Sequence, residues 1–170
     1  PDPMLHIGTC SWKYDSWRGL VYPETGAINY LQEYACHYRT VEVDQWFWSL
    51  FDRDTAVLPK PEVVADYAQS VPDNFIFCVK VPNSITLTHH YNKDKKAPLA
   101  PNPCFLSIPL MERFLELLAP IKNNLGPLIF QFEYLNKKKM NSLGEFINRF
   151  SRFAGQLPDA YDYFVETRNP

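Results

Sequence analysis

At 170 residues, the chain is long enough to bury one hydrophobic core and short for two, so we expect one domain over residues 1–170. Its net charge of −2 gives no positive field that would draw in nucleic acid, and no apolar run is long enough to span a bilayer. The four cysteines, at positions 10, 36, 78 and 104, form no C-x-x-C pair that would indicate structural zinc or a redox motif. These features predict a cytoplasmic protein with no membrane segment.

Hydrophobic periodicity predicts strands that alternate with helices. In chain order, we expect a strand over 5–9, a helix over 28–37, a strand over 40–44, a helix over 61–70, a strand over 75–81, a helix that starts near Pro109 and is broken by Gly126 and Pro127, a strand over 128–132, a helix over 140–155 and a strand over 163–166. Such alternation predicts an α/β fold with parallel strands and right-handed crossovers. The segment 82–107 falls between elements, and a loop of this length is typical of a functional lid or a disordered segment.

Two architectures fit this order of elements, a doubly wound sheet and a TIM (β/α)₈ barrel. No G-x-G-x-x-G follows the first strand, which disfavours the dinucleotide-binding form of a doubly wound sheet. Five strands are too few to close a barrel, which typically needs ~250 residues. We therefore interpret the chain as an incomplete TIM barrel that covers about the first five β-α units.

Charged residues lie toward the carboxyl ends of the predicted strands, where a barrel builds its site. Glu42 and Glu166 would form a carboxylate pair that can share a proton, act as acid and base, or hold a divalent cation. Lys80 can neutralise an anion or, if its pKa falls, act as a base or a Schiff-base amine. These three residues are the predicted catalytic groups.

Further candidates would bind the substrate rather than react with it. Polar groups at or near strand ends can hold hydroxyls, phosphates or carboxylates, and loop aromatics can stack on a ligand. The predicted binding residues are Tyr14, Trp17, Asp44, His89, Gln131 and Arg168, with Trp12, Trp46 and Phe47 as further aromatic candidates.

A purely structural interpretation stands beside each role. Glu42 with Lys80, and Glu166 with Arg168, can be ion pairs at the barrel mouth, which are weak indicators of function. Asp44 can cap a turn, and the aromatics can pack loops.

Two other kinds of function remain open. Loop aromatics with the basic segments 93–96 and 137–139 would suit a nucleic-acid or nucleotide binding module, although the near-neutral charge argues against it. An exposed edge at the fifth strand would suit a non-catalytic protein that binds a partner chain.

Six short motifs lie in order along nearly the whole chain: 7–12 (IGTCSW), 41–47 (VEVDQWF), 75–80 (FIFCVK), 88–89 (TH), 126–132 (GPLIFQF) and 165–168 (VETR). In this order they resemble the YecE-like family (domain of unknown function 72). The resemblance implies a TIM-barrel fold, without an assigned reaction and with a fold-level likeness to sugar isomerases and metal-dependent barrels. Asp44 and Glu133 depart from the Asn and Pro that are common at these places in the family.

The sequence thus predicts a small-molecule enzyme of isomerase, lyase or hydrolase type. Its strand-end groups would carry out acid-base or metal-assisted chemistry on a polar, sugar-like or phosphorylated substrate.

Overall fold

The structure, a computed structural model, describes residues 5–51, 55–92 and 96–169. Within them, five strands form one sheet in the order β1-β2-β3-β4-β5, and every neighbouring pair is parallel. The predicted α/β alternation with parallel strands is confirmed. The strands are β1 Thr9–Cys10, β2 Thr40–Val43, β3 Ile76–Lys80, β4 Leu125–Phe132 and β5 Tyr163–Thr167.

The connections between strands are largely helical. The α-helices are α1 Tyr30–His37, α2 Pro61–Gln69, α3 Asn83–Thr86, α4 Ile108–Leu117 and α5 Leu143–Ala154, with 3₁₀ turns at Asp15–Trp17 and Ala119–Asn124. Three helices begin after a side chain that accepts a backbone N–H of the first turn, as expected for N-caps. These caps are Asn29, Ser107 and Ser142.

The first strand is shorter than predicted, since only Thr9 and Cys10 pair with β2. Leu5 and Ile7 alternate as in a strand, but they are 81% and 67% exposed. An apolar alternation forms a strand only where a neighbouring strand and a covered face are present. In the described part of the chain, nothing covers these two side chains.

The fourth strand starts three residues earlier than predicted, at Leu125. A Cβ at Gly126 would lie 2.6 Å from Ile76 Cγ2, so glycine permits the close approach of β4 to β3. The preceding helix α4 does not reach Gly126 but ends at Leu117. Pro120 has no N–H to donate to Glu116, and the chain continues as a 3₁₀ turn.

The segment 82–107 is built into the fold where it is described. It contains α3, whose four residues are all buried. The Asn102 side chain donates hydrogen bonds to the carbonyls of Ser84 (2.8 Å) and Leu87 (2.6 Å), which ties the end of the segment to its beginning. Most of the basic segment 93–96 lies outside the described residues.

The two faces of the sheet have different side chains because residues alternate along each strand. One face is apolar and packs against the helices; Phe130 and Phe132, for example, contact aromatic rings of α5. The other face carries most of the predicted site residues at its carboxyl end. We call this second face the polar face, and its members on β2 to β5 include Glu42, Cys78, Lys80, Ile129, Gln131, Phe164 and Glu166.

Candidate functional site

The polar face brings the three predicted catalytic groups to one end of the sheet. Cys10 lies opposite Glu42 in the β1–β2 register, and Gln131 lies opposite Glu166 in the β4–β5 register. Lys80 ends β3, between these two pairs of strands. The carboxyl ends of parallel strands are where α/β proteins place their ligands.

An ion pair between Glu42 and Lys80 forms the centre of this arrangement. Lys80 Nζ lies 2.9 Å from Glu42 Oε1, and the lysine and glutamate side chains are 16% and 28% exposed. Burial alone would lower the pKa of Lys80, but the hydrogen bond and the charge of Glu42 outweigh it and raise the pKa. Lys80 is therefore an ammonium ion at neutral pH, which favours its role as an anion-binding group over that of a base or Schiff-base amine.

An aromatic ring adds to the environment of this ammonium group. Lys80 Nζ lies 6.0 Å from the centre of the Phe47 ring, within the range of a cation–π contact. The contact of Phe47 with this site is thus with the ammonium group of Lys80.

Cys10 belongs to the same cluster, although sequence reasoning did not select it. Its thiol is within hydrogen-bonding distance of Glu42 Oε1 (3.2 Å) and Asp44 Oδ2 (3.4 Å). Partial burial, followed by hydrogen bonds to these carboxylates and their charge, raises the pKa of Cys10 to about 12. The thiol is a hydrogen-bond donor at neutral pH and a poor nucleophile. One signal was present, because Cys10 directly follows the first predicted strand.

Glu166 of β5 and Arg168, one residue beyond the strand, are both exposed. The charge of Glu166 adds to the rise in the pKa of Lys80, so the two groups interact electrostatically. Among the ion pairs between described residues, none includes Glu166 or Arg168. The ion pair between Glu166 and Arg168, which was the structural interpretation of these two residues, is therefore not formed among the described residues.

His89 lies half-buried in the segment that follows α3, with Nδ1 2.9 Å from Thr88 Oγ1. Burial, followed by the charge of Lys139, lowers the pKa of His89, so its imidazole is neutral near pH 7. Glu133, one residue beyond β4, forms an ion pair with Lys139. One of the lysines in the basic segment 137–139 is thus already engaged.

The aromatic candidates mostly pack against one another. Trp17 stacks on Tyr34 in the core, and Trp46 stacks on Tyr67 with 5.3 Å between ring centres. Tyr14 is the most exposed of them, but its hydroxyl donates a hydrogen bond of 2.6 Å to the Cys10 carbonyl. These contacts support loop packing, and ligand binding by Tyr14 or Trp17 stays a prediction.

A cavity of about 820 Å³ lies beside the charged groups rather than over them. It opens between α1, α2 and the loop after β1, and its lining includes Ser11, Trp12, Asn29, Gln45 and Tyr67. Ser11 and Gln45 follow Cys10 and Asp44 directly, and the Gln45 side chain donates a hydrogen bond of 2.9 Å to Ser11 Oγ. None of the charged groups at the strand ends lines this cavity.

The described residues contain neither a metal-binding cluster nor a membrane-spanning helix. Within residues 5–51, 55–92 and 96–169, no three His, Cys, Asp or Glu side chains are arranged to hold a metal ion, and the divalent cation stays a prediction. The helices in these same ranges are all too short or too polar to cross a bilayer.

Comparison with curated proteins finds relatives about twice as long as this chain. It is 27% identical to the UPF0759 protein YecE of Escherichia coli (strain K12) over 168 residues, which are 98% of this chain and 49% of that protein. YecE of Escherichia coli O157:H7 matches with the same identity and coverage. The chain thus spans about half the length of the curated relatives it matches.

Solved structures show the same fold in two proteins. A DUF72 family protein of Enterococcus faecalis V583 superposes with a TM-score of 0.61 at 23% identity, over 98% of this chain and 51% of that one. A DUF72 family protein of Thermotoga maritima MSB8 gives a TM-score of 0.58 at 24% identity, over 98% of this chain and 56% of that one. The sequence profile described as "Protein of unknown function DUF72" matches residues 6–170, and the chain belongs to this family.

Proposed function

We propose that this chain contributes the catalytic groups of a TIM-barrel enzyme that acts on a small, polar, sugar-like or phosphorylated molecule. The chain would form the first part of the barrel as one domain, and the ligand would lie against the polar face. Glu42 and Glu166 exchange protons with it, while Lys80 binds its anionic or carbonyl oxygen.

The observation that carries this proposal is the half-buried Glu42–Lys80 pair at neighbouring strand ends. A lysine ammonium group has three hydrogens, and the hydrogen bond of Lys80 to Glu42 uses one of them. Lys80 can therefore donate to a ligand while it remains charged. An anion that binds to Lys80 also weakens the Glu42–Lys80 ion pair. The Glu42 carboxylate then becomes available as a base.

The remaining predicted groups complete this proposal. Gln131 and Glu166, opposite one another in register, extend the polar face beyond Lys80. Asp44, His89 and Arg168 are proposed to contact the substrate around this centre.

Calorimetric titration with D-ribose 5-phosphate, a small phosphorylated polyol, tests the proposal. We expect saturable binding that Lys80→Met weakens by about ten- to a hundredfold, because a charge-assisted hydrogen bond is lost. Lys138→Met, a change at an exposed lysine of the β4–α5 loop, is the matched control and should leave the affinity unchanged.

Proton exchange provides the catalytic readout. In D₂O, we expect ¹H NMR to show deuterium entering the carbon next to the sugar carbonyl, and Glu42→Gln or Glu166→Gln to stop it while binding persists. Equal affinity in the wild type and Lys80→Met, or unchanged exchange in both glutamine variants, would contradict the proposal.

A second candidate function is the binding of a partner chain at the β5 edge. Phe164 and Val165 of this strand are 57% and 47% exposed, and an uncovered parallel edge offers unpaired backbone groups. Light scattering at several protein concentrations tests this role, and a monomer at all of them would contradict it.

A further inference from the structure

Two buried oxygen atoms at the end of β4 have no hydrogen-bond partner among the described residues. They are Oε1 of Gln131 and Oε1 of Glu133; a third such atom, Thr86 Oγ1, lies on α3, which packs against β4. Gln131 is 8% exposed, so solvent has little access to its side chain. Buried acceptors are normally paired, because an unpaired one costs the free energy of its lost hydration.

The two acceptors, one on β4 and one just beyond it, are close together in the chain. Residues two apart on a strand point to the same face, and they lie roughly 7 Å apart. Gln131 is on the polar face of the sheet, and Glu133 follows it in the same alternation just beyond the strand end. Ile129, two residues before Gln131, is the register partner of Lys80. The acceptors therefore lie farther than the lysine toward the carboxyl end of the sheet.

The chemistry of the two atoms limits the ligand. A glutamine Oε1 and an ionised carboxylate can only accept hydrogen bonds, so the ligand must donate them. An ammonium donor would compete with Lys139, which already pairs with the other oxygen of Glu133. Hydroxyl groups donate without adding positive charge.

We propose that Gln131 and Glu133 form a subsite for the hydroxyl groups of a polyol of monosaccharide size. This inference rests on the function proposed above, since Lys80 on the same face would bind the anionic group of the same molecule. The substrate class is then an anionic polyol, such as a sugar phosphate, with hydroxyls toward β4 and the anion toward β3.

Three probes separate the two ends of such a molecule. D-ribose has hydroxyls without an anion, inorganic phosphate has an anion without carbon-bound hydroxyls, and D-ribose 5-phosphate has both. We expect Gln131→Met, which keeps the shape of the side chain and removes its polar groups, to weaken D-ribose and D-ribose 5-phosphate about tenfold. Phosphate affinity should not change in this variant.

Stability distinguishes a ligand-binding amide from a structural one. Gln131→Met removes an unpaired buried acceptor, so the empty protein should have an equal or higher melting temperature than the wild type. If the amide instead stabilises the fold, the melting temperature falls and all three probes weaken together. Gln32→Met, at an exposed position of α1, is the matched control for the substitution itself.

The outcomes expected for Gln131→Met differ from those expected for Lys80→Met. Both proposals are supported if Lys80→Met loses affinity for phosphate but not for D-ribose, and Gln131→Met loses affinity for D-ribose but not for phosphate. If Lys80→Met has no effect but Gln131→Met weakens D-ribose, the function of Lys80 fails and the subsite stands. The subsite is overturned if D-ribose 5-phosphate shows no saturable binding, or if Gln131→Met binds the sugars like the wild type.

Discussion

The two faces of strands β2 to β4 come from alternate residues of the same segments, yet they serve different ends. On the apolar face, side chains such as Val43, Phe77 and Phe130 are completely buried. On the polar face, Glu42 and Lys80 form a half-buried pair, and Gln131 has an acceptor atom with no partner among the described residues. One face stabilises the fold, while the other carries charged and polar groups that can form further hydrogen bonds.

This difference teaches where substitutions should affect stability and where they should affect binding. Apolar burial contributes most of the free energy of folding, whereas a half-buried ion pair contributes less. The sharpest test makes the same substitution at a residue of the same type on each face.

The largest expected effect is on the apolar face. Phe130 is fully buried and contacts Phe150 and Phe153 of α5, so Phe130→Ala should lower the free energy of unfolding by about 3–5 kcal/mol. Phe164→Ala, at a half-exposed phenylalanine on the polar face of β5, should cost less than about 1 kcal/mol. Urea unfolding of both variants measures the difference, and equal losses would show that the two faces do not differ in this way.

A smaller effect is expected for the ion pair of the polar face. Lys80→Met leaves the Glu42 carboxylate half-buried without its cation and should destabilise the chain by about 1–3 kcal/mol. The double variant with Glu42→Gln should cost less than the sum of the single changes, because both remove the same interaction. Additive losses in urea unfolding would mean that the pair is not coupled.

The exposed pair Arg113–Glu116 on α4 is the control for this cycle. Its side chains are 62% and 65% exposed, so Arg113→Met should change the free energy of unfolding by no more than about 0.5 kcal/mol.

The smallest effect concerns reactivity rather than stability. Because the pKa of Cys10 is raised to about 12, little thiolate is present at pH 8.5. Iodoacetamide should therefore alkylate Cys10 at least about tenfold more slowly than Cys36 of α1, although both cysteines are exposed, as followed by mass spectrometry of the two peptides. Glu42→Gln should speed up the reaction of Cys10 only, and alkylation of both cysteines at one rate would contradict the thiol–carboxylate contact.

Sequence patterns were sufficient for the order of strands and of the longer helices, because the spacing of apolar residues indicates the type of element. They also placed Glu42, Lys80 and Glu166 at strand ends, where the structure has them. They did not predict which residues of α5 are buried, since Leu143 and Ile147 are 73% and 53% exposed. Helix α3 could not be predicted, since four residues show no period and this helix is held by tertiary contacts with Asn102.

Pairing between strands was the other missing information. The contact of Cys10 with Glu42 depends on the register of β1 against β2, which no local pattern specifies. The unpaired acceptors of Gln131 and Glu133 depend on side-chain positions after folding, and in the sequence Glu133 differs from the family pattern without indicating a role.

A crystal structure of the chain soaked with D-ribose 5-phosphate tests the central claim most directly, that the polar face binds a small anionic polyol. We predict the phosphate group within hydrogen-bond distance of Lys80 Nζ and a ribose hydroxyl within hydrogen-bond distance of Gln131 Oε1. A ligand bound elsewhere, with the Glu42–Lys80 pair undisturbed and Gln131 in contact only with water, would contradict it.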